Sequence, residues 1–167
     1  MRNGTDGKDY KVAYIDGIAH QIKSNHTSIL KFVKEHVSEK KIPSLCDDPN
    51  LAPYGACRIC SVDVALRKDG PTKTVASCHT PVSEDSYIIT SNKDLKNLRK
   101  NIVELVLTDH PMTCSTCEVN NNCELQTVAN DLGINEHRYN EPKQNKGILK
   151  DTSHAYMRMN LDNCINC

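Results

Sequence analysis

Cys46, Cys57, Cys60 and Cys78 precede a second series, His110, Cys114, Cys117 and Cys123, and a third pair follows at Cys164 and Cys167. This spacing constrains the chain more than any other feature, because each set has to be brought around a common centre. Nine cysteines cannot all pair as disulfides, and the odd total counts against a secreted, stapled framework. Grouped by spacing they fall as four, three and two, and His110 completes the group of three. Residues 1–8 are polar with no apolar run of signal-peptide length, and no later segment reaches the ~20 apolar residues of a membrane span. The expectation is a cytoplasmic chain, in a reducing compartment that keeps thiols available as ligands.

With 21 acidic against 21 basic residues, the chain has no net field for capturing nucleic acid or an anionic membrane. Its apolar share is 38%, with one Phe and no Trp, below the ~45–50% of ordinary globular chains. Metal centres that tie loops together would supply part of the stability that side-chain packing does not.

Residues 10 to 22 alternate around Asp16-Gly17 and predict a β-hairpin, with Val12 and Tyr14 on one face and Ile18 and Ile22 in the returning strand. Thr27 is the expected cap of a helix from Ser28 to about Val37, on the spacing of Ile29, Leu30, Phe32, Val33 and Val37. Residues 45–59 are rich in turn formers and carry the first three cysteines. Val62, Val64 and Leu66 mark a strand, Lys68-Asp69-Gly70-Pro71 a turn, and Lys73 to Ser77 a returning strand that ends at Cys78; residues 87–90 add another. Beyond a boundary near Ser91, that serine and Asp94 suggest a capping box for a helix to about Thr108, with Leu95, Leu98, Ile102, Leu105 and Val106 on one face. A further helix begins near Cys123, turns Leu125, Val128, Ala129 and Leu132 inward, and stops at Gly133. Residues 138–155 read as a polar surface connection.

In the first set, only Cys57 and Cys60 are close in sequence. Ribbon-type zinc sites show two close pairs, whereas plant-type two-iron ferredoxins have this lopsided form with a first gap of four rather than ten residues. Gly55 and Ala56 would let main-chain N–H groups approach sulfur and tune a reduction potential. In the second set, one imidazole and three thiolates suit zinc and iron–sulfur alike. Cys164 and Cys167 look like the opening of a bacterial ferredoxin run that continues past residue 167; a bare thiol pair is the other reading.

Pro43-Ser44-Leu45-Cys46, Tyr54-Gly55-Ala56-Cys57-Arg58-Ile59-Cys60 and Cys78-His79-Thr80-Pro81-Val82 resemble the N-terminal two-iron domain shared by three families. These are the large iron–sulfur subunit of respiratory complex I (the G type), the iron-only hydrogenases and the NAD-linked molybdopterin formate dehydrogenases. Residues 107–111, Cys114-Ser115-Thr116-Cys117-Glu118 and Asn122-Cys123-Glu124-Leu125-Gln126 are similar to the histidine-and-three-cysteine four-iron domain that follows in the same families. The resemblance implies an α+β chain. A β-grasp 2Fe-2S ferredoxin-like domain would span residues 1–90 and a small, mainly helical His(Cys)3 4Fe-4S domain residues 91–138. Residues 139–167 would be a linker and the truncated start of a bacterial ferredoxin-type 4Fe-4S domain.

It implies one 2Fe-2S cluster on Cys46, Cys57, Cys60 and Cys78, one 4Fe-4S cluster on His110, Cys114, Cys117 and Cys123, and an incomplete 4Fe-4S site at Cys164 and Cys167. Further 4Fe-4S clusters and molybdopterin would lie in a missing remainder. The expected work is electron relay between a flavin-containing NADH-binding subunit and a catalytic domain or subunit of the same complex. Glu118 and the run Asn122 to Gln126 look more like formate dehydrogenase or hydrogenase than complex I; the expectation leans to the formate dehydrogenase alpha subunit, with complex I and iron-only hydrogenase as alternatives. No dinucleotide fingerprint, phosphate loop or nucleophile–base pair is present. His20, His26, His36, His79, His137 and His154 read as surface or packing residues, and Lys96, Arg99 and Lys100 as a solvated helix face. A structural zinc module and a disulfide-stapled interaction protein remain as readings of other classes.

Overall fold

The computed structural model describes residues 11–23, 28–37, 42–136, 138–139 and 147–165. By its internal contacts the chain divides into two compact units, residues 1–42 with 61–91 and residues 43–60 with 92–167.

The first unit is built on a five-stranded mixed sheet in the order β2-β1-β5-β3-β4. Strands β1 (Val12–Ile15) and β2 (Ile18–Gln21) form the hairpin. Asp16 and Gly17 both take positive φ, 48° and 87°, as a two-residue turn between right-twisted strands requires. The Asp16 carboxylate then accepts from the N–H and hydroxyl of Thr90, at 2.8 and 2.6 Å, tying the turn to the end of β5 (Tyr87–Ile89). Strand β5 runs parallel to β1 and antiparallel to β3 (Ser61–Ala65), which pairs with β4 (Lys73–Ala76). The gap between Cys60 and Cys78 is filled by this β3–β4 hairpin. Ala13 and Ile15 are the buried face of β1, while Val12 and Tyr14 stay half-buried and Ile18 is exposed. Tyr14 and Tyr87 stack at 4.4 Å between ring centroids.

Helix α1 (Ile29–His36) buries Ile29, Leu30, Phe32 and Val33. Its cap is Ser28, whose hydroxyl accepts from the Lys31 N–H at 3.2 Å, while Thr27, the expected cap, lies outside the described residues.

The second unit holds α2 (Lys93–Leu107) and α3 (Glu124–Asp131) around a core of Leu45, Ile59, Val103, Leu107, Leu125, Val128, Ala129 and Ile134. Gly133 ends α3 with φ 65°, as the sequence suggested. Two expectations for α2 are corrected. Its cap is Asn92, whose side-chain oxygen accepts from the Leu95 N–H at 2.7 Å; one residue later than Ser91, it sits at the helix-start distance from Leu95. The buried stripe steps by four through Leu95, Arg99, Val103 and Leu107, with Glu104 beside it, whereas Leu98 and Leu105 are exposed. Arg99, assigned from sequence to a solvated face, is 4% exposed. Among the described residues no helix is long and apolar enough to cross a membrane.

Candidate metal centres

The described cysteines are thiols rather than disulfides. Each described candidate ligand stands at or just beyond the end of an element or in a tight loop, where the backbone direction is set but the side chain is not used for packing a ladder.

Cys78 lies in a turn beyond β4. His79 and Thr80 donate their N–H groups to the Ala76 carbonyl, and the Thr80 hydroxyl joins them at 2.8 Å. The first two N–H groups of α1 have no partner within their own helix. Those of Ile29 and Leu30 donate to the Thr80 and Ser77 carbonyls, both at 2.9 Å, so the helix start grips the turn on either side of Cys78.

Cys46, Cys57 and Cys60 belong to the loop of the second unit, which the sequence marks as irregular. Gly55 is held at φ 70° and Arg58 at φ 60°, left-handed conformations that suit Gly and cost other residues. This path carries the Cys57 N–H to 3.4 Å from the Cys46 sulfur. Burial raises the pKa of Cys46, against main-chain hydrogen bonds from Cys57 and Ala56. Burial also opposes the Cys57 thiolate, but main-chain hydrogen bonds from Leu45, Ile59 and Cys46 outweigh it and lower its pKa. The loop thus turns main-chain N–H groups towards the Cys46 and Cys57 sulfurs, and such groups stabilise a thiolate.

The second set is the more complete. His110, Cys114, Cys117 and Cys123 line one cavity, with Pro111, Thr113, Val119, Asn120, Gln126 and Asn163. His110 leaves the end of α2 with its N–H on the Leu107 carbonyl. Cys114 opens a 3-10 turn, Cys114–Thr116, and the Cys117 N–H closes it on the Cys114 carbonyl at 3.1 Å. Cys123 is the N-cap residue of α3 with no side-chain cap bond, so its sulfur stands at the start of the helix. His110 is 8% exposed, and its Nδ1 lies 3.3 Å from the Cys164 carbonyl. A carbonyl only accepts, so Nδ1 carries the proton and Nε2 presents the lone pair a metal needs. That contact brings Cys164 of the third pair beside the second set. Cys164 follows the 3-10 turn Leu161–Asn163 and is exposed, and Cys167 lies outside the described residues.

The donor chemistry and the cavity fit a cluster. A zinc ion draws four donors to ~2.0–2.3 Å of one point. His110, Cys114, Cys117 and Cys123 share one cavity, a donor set that zinc could also take. Sequence reasoning missed Asn120, Gln126 and Asn163 as parts of this wall; their polarity gave no signal beyond the motif itself. Among the remaining histidines, His20 and His36 pack edge-on at 6.4 Å, His36 against Phe32, and His79 and His154 are exposed. His26 and His137 lie outside the described residues.

Comparison with known proteins converges on the same segment. Residues 99–138 match the family described as the NADH-ubiquinone oxidoreductase-G iron–sulfur binding region. The chain is 30% identical over 126 residues to the alpha subunit of the NADPH-Fe(3+) oxidoreductase of Geobacter sulfurreducens, covering 75% of the chain and 14% of that protein. It is 31% identical over 157 residues to the G-type subunit of the NADH-quinone oxidoreductase of Buchnera aphidicola, covering 92% and 16%. With an NADP-reducing hydrogenase subunit of Solidesulfovibrio fructosivorans the identity is 36% over 112 residues, covering 67% and 18%. The chain therefore spans less than a fifth of each of these relatives. Its fold is similar to the crystal structure of an NAD+-reducing NiFe-hydrogenase, with TM-score 0.78 and 22% identity over 93% of this chain and 62% of that one. What the chain shares with the G-type subunits, the hydrogenase subunit and the Fe(3+) oxidoreductase alpha subunit is their iron–sulfur region, and residues 99–138 carry its histidine-and-cysteine part.

Proposed function

We propose that the chain is an electron-relay segment of a multi-cluster NAD(P)H-linked oxidoreductase. His110, Cys114, Cys117 and Cys123 would hold a 4Fe-4S cluster, Cys46, Cys57, Cys60 and Cys78 a 2Fe-2S cluster, and Cys164 and Cys167 part of another 4Fe-4S site. The observation that carries the reading is the single cavity lined by all four members of the second set. When bound, the clusters supply one-electron carriers whose potentials follow from charge, hydrogen bonds to sulfur and exposure.

The chain's own part is positional. α2 and α3 present His110 and Cys123 from helix ends, the 3-10 turn spaces Cys114 and Cys117, and the Cys164 carbonyl orients the imidazole. In the first set, the main-chain N–H groups around Cys46 and Cys57 offset negative charge on sulfur.

In this reading the domains run over residues 1–90, 91–138 and 139–167, a β-grasp two-iron domain leading a helical four-iron domain in the cytoplasm. A flavin-containing NADH-binding subunit would donate electrons, and molybdopterin in a formate dehydrogenase alpha subunit would accept them, the parent towards which Glu118 and the run Asn122 to Gln126 lean. The G-type subunits and hydrogenase among the relatives support the wider class. Anaerobic purification with iron and acid-labile sulfide assays, and paramagnetic resonance after dithionite reduction, test the relay. Two distinct reducible signals are expected, and zinc without sulfide would refute it. Formate-dependent reduction of the clusters in the parent complex tests the choice of parent.

A further inference from the structure

Between Cys117 and Cys123 the chain makes two successive turns, Asn120 N–H to the Cys117 carbonyl at 3.1 Å and Asn122 N–H to the Val119 carbonyl at 2.9 Å. Asn121, between them, is held at φ 63°, a strained conformation for a residue with a Cβ, although Asn tolerates it better than most. Something has to hold the loop there. The side chain of Gln126, one turn into α3, does so at both its ends. Its Oε1 accepts from the Asn121 N–H at 2.8 Å and its Nε2 donates to the Asn120 side-chain oxygen at 2.9 Å. Gln126 and Asn120 both line the cavity that the four donors share.

We propose that Gln126 is a positioning residue of the second cluster site: its amide clamps the loop that spaces Cys117 from Cys123 and, with Asn120, puts amide N–H groups in the wall of their cavity. The inference rests on the cluster reading of that cavity. A carboxamide nitrogen has two N–H groups, and the bond to Asn120 uses one on Gln126, leaving further donors on this amide pair at the cavity wall. N–H groups directed at cluster sulfur make reduction easier, because they offset the charge that the added electron brings.

The test compares unmodified protein with Gln126→Leu and Gln126→Glu, each full length and loaded anaerobically. Redox titration of the four-iron paramagnetic signal gives the midpoint, and bleaching by an iron chelator gives the rate of cluster loss. Gln126→Leu is neutral and similar in size but lacks both bonds. It is expected to titrate at a more negative potential and to bleach about tenfold faster, the consequence of two neutral hydrogen bonds of ordinary strength. Gln126→Glu keeps the acceptor for Asn121 but loses the donor to Asn120, so it is expected to bleach about threefold faster than the unmodified protein while its potential falls further through the added charge. The proposal is overturned if Gln126→Leu matches the unmodified protein in potential and bleaching, or if Gln126→Glu bleaches as fast as Gln126→Leu. If the unmodified protein takes up no reducible four-iron cluster, the relay reading fails and this inference with it.

Discussion

Leu125 offers the sharpest test of how packing and ligand geometry are joined. It is 1% exposed, two residues beyond Cys123, in the cluster of Leu45, Ile59, Val103, Leu107, Val128, Ala129 and Ile134; Cys57 and Cys123 both pack against that cluster. Leu125→Ala removes three buried carbons, worth about 2.4 kcal/mol at ~0.8 each, and incomplete collapse of the site adds a cavity cost that brings the total to about 3 kcal/mol. A loss of that size is a large part of the ~5–15 kcal/mol that stabilises a domain. With a urea dependence of ~2 kcal/mol per M, the unfolding midpoint of the metal-free protein falls by about 1.5 M. Leu105→Ala, on the same unit but 55% exposed, is expected to stay within about 0.5 kcal/mol. Because Cys57 and Cys123 lean on one core, Leu125→Ala should slow loading at both the first and the second set, read as iron per chain after reconstitution. Equal costs for the two variants would refute the assignment of the buried stripe. A full 3 kcal/mol loss with normal loading of both sets would refute the link between core and ligands.

Other expectations are narrower. His110→Cys replaces a neutral ligand by a thiolate, so the second cluster should keep its iron and titrate at a more negative potential; an unchanged midpoint argues that His110 is no ligand. Gly55→Ala puts a Cβ at φ 70° and should cost about 1–2 kcal/mol while weakening the two-iron signal, whereas an unaffected signal would show that the path around Cys57 is not what orients its N–H. Asn92→Ala should lower thermal stability by about 1 kcal/mol and Ser91→Ala by much less, the reverse order restoring Ser91 as the cap. Arg138 donates to the fully buried Glu104 carboxylate at 2.6–2.7 Å, so Arg138→Met should destabilise the second unit and Glu104→Gln added to it should recover part of the loss, as measured by urea unfolding.

Much of this was readable from residue order because turns and helix ends are local events. Asp16-Gly17 dictates its own turn, the run from Leu125 to Gly133 carries both its apolar face and its stop, and the motif spacings name candidate donors before any fold is known. The misses share a cause. A scan for apolar periodicity passes over Arg99 and Glu104, which occupy inward positions of α2, and so it shifted the buried stripe to Leu98 and Leu105. A capping residue announces itself only to within a position when two polar residues adjoin, as Ser91 and Asn92 do. The β1 face was likewise ambiguous, since Val12, Ala13, Tyr14 and Ile15 are apolar on both sides and only the sheet neighbours decide. Residues 43–60 pack with α2 and α3 through Leu45 and Ile59, and nothing in an irregular loop announces a core contact formed more than forty residues later.

The thin apolar content and the ligand arrangement have one physical explanation. In the second unit the core is small, and its margins are closed by Cys57 and Cys123 together with Ile102, Val106, Leu132 and Ile165. A thiol without metal behaves as a small buried apolar group, so such a core keeps some cohesion when empty. A bound thiolate is fixed in position, and the free energy of binding becomes free energy of folding. The elements that carry the donors, α2, α3 and the intervening 3-10 turn, satisfy their own backbone hydrogen bonds, and the loop from Cys117 to Cys123 closes two turns of its own. A bound metal would add to what the chain already holds. The residues that hold the loops independently of it, Gln126 on Asn120 and Asn121 and the Cys164 carbonyl on His110, keep the second cavity open before anything binds. A site organised in advance gives up little ordering free energy on loading, and it leaves the donors little room to move when the charge at the centre changes, which is what rapid one-electron exchange requires.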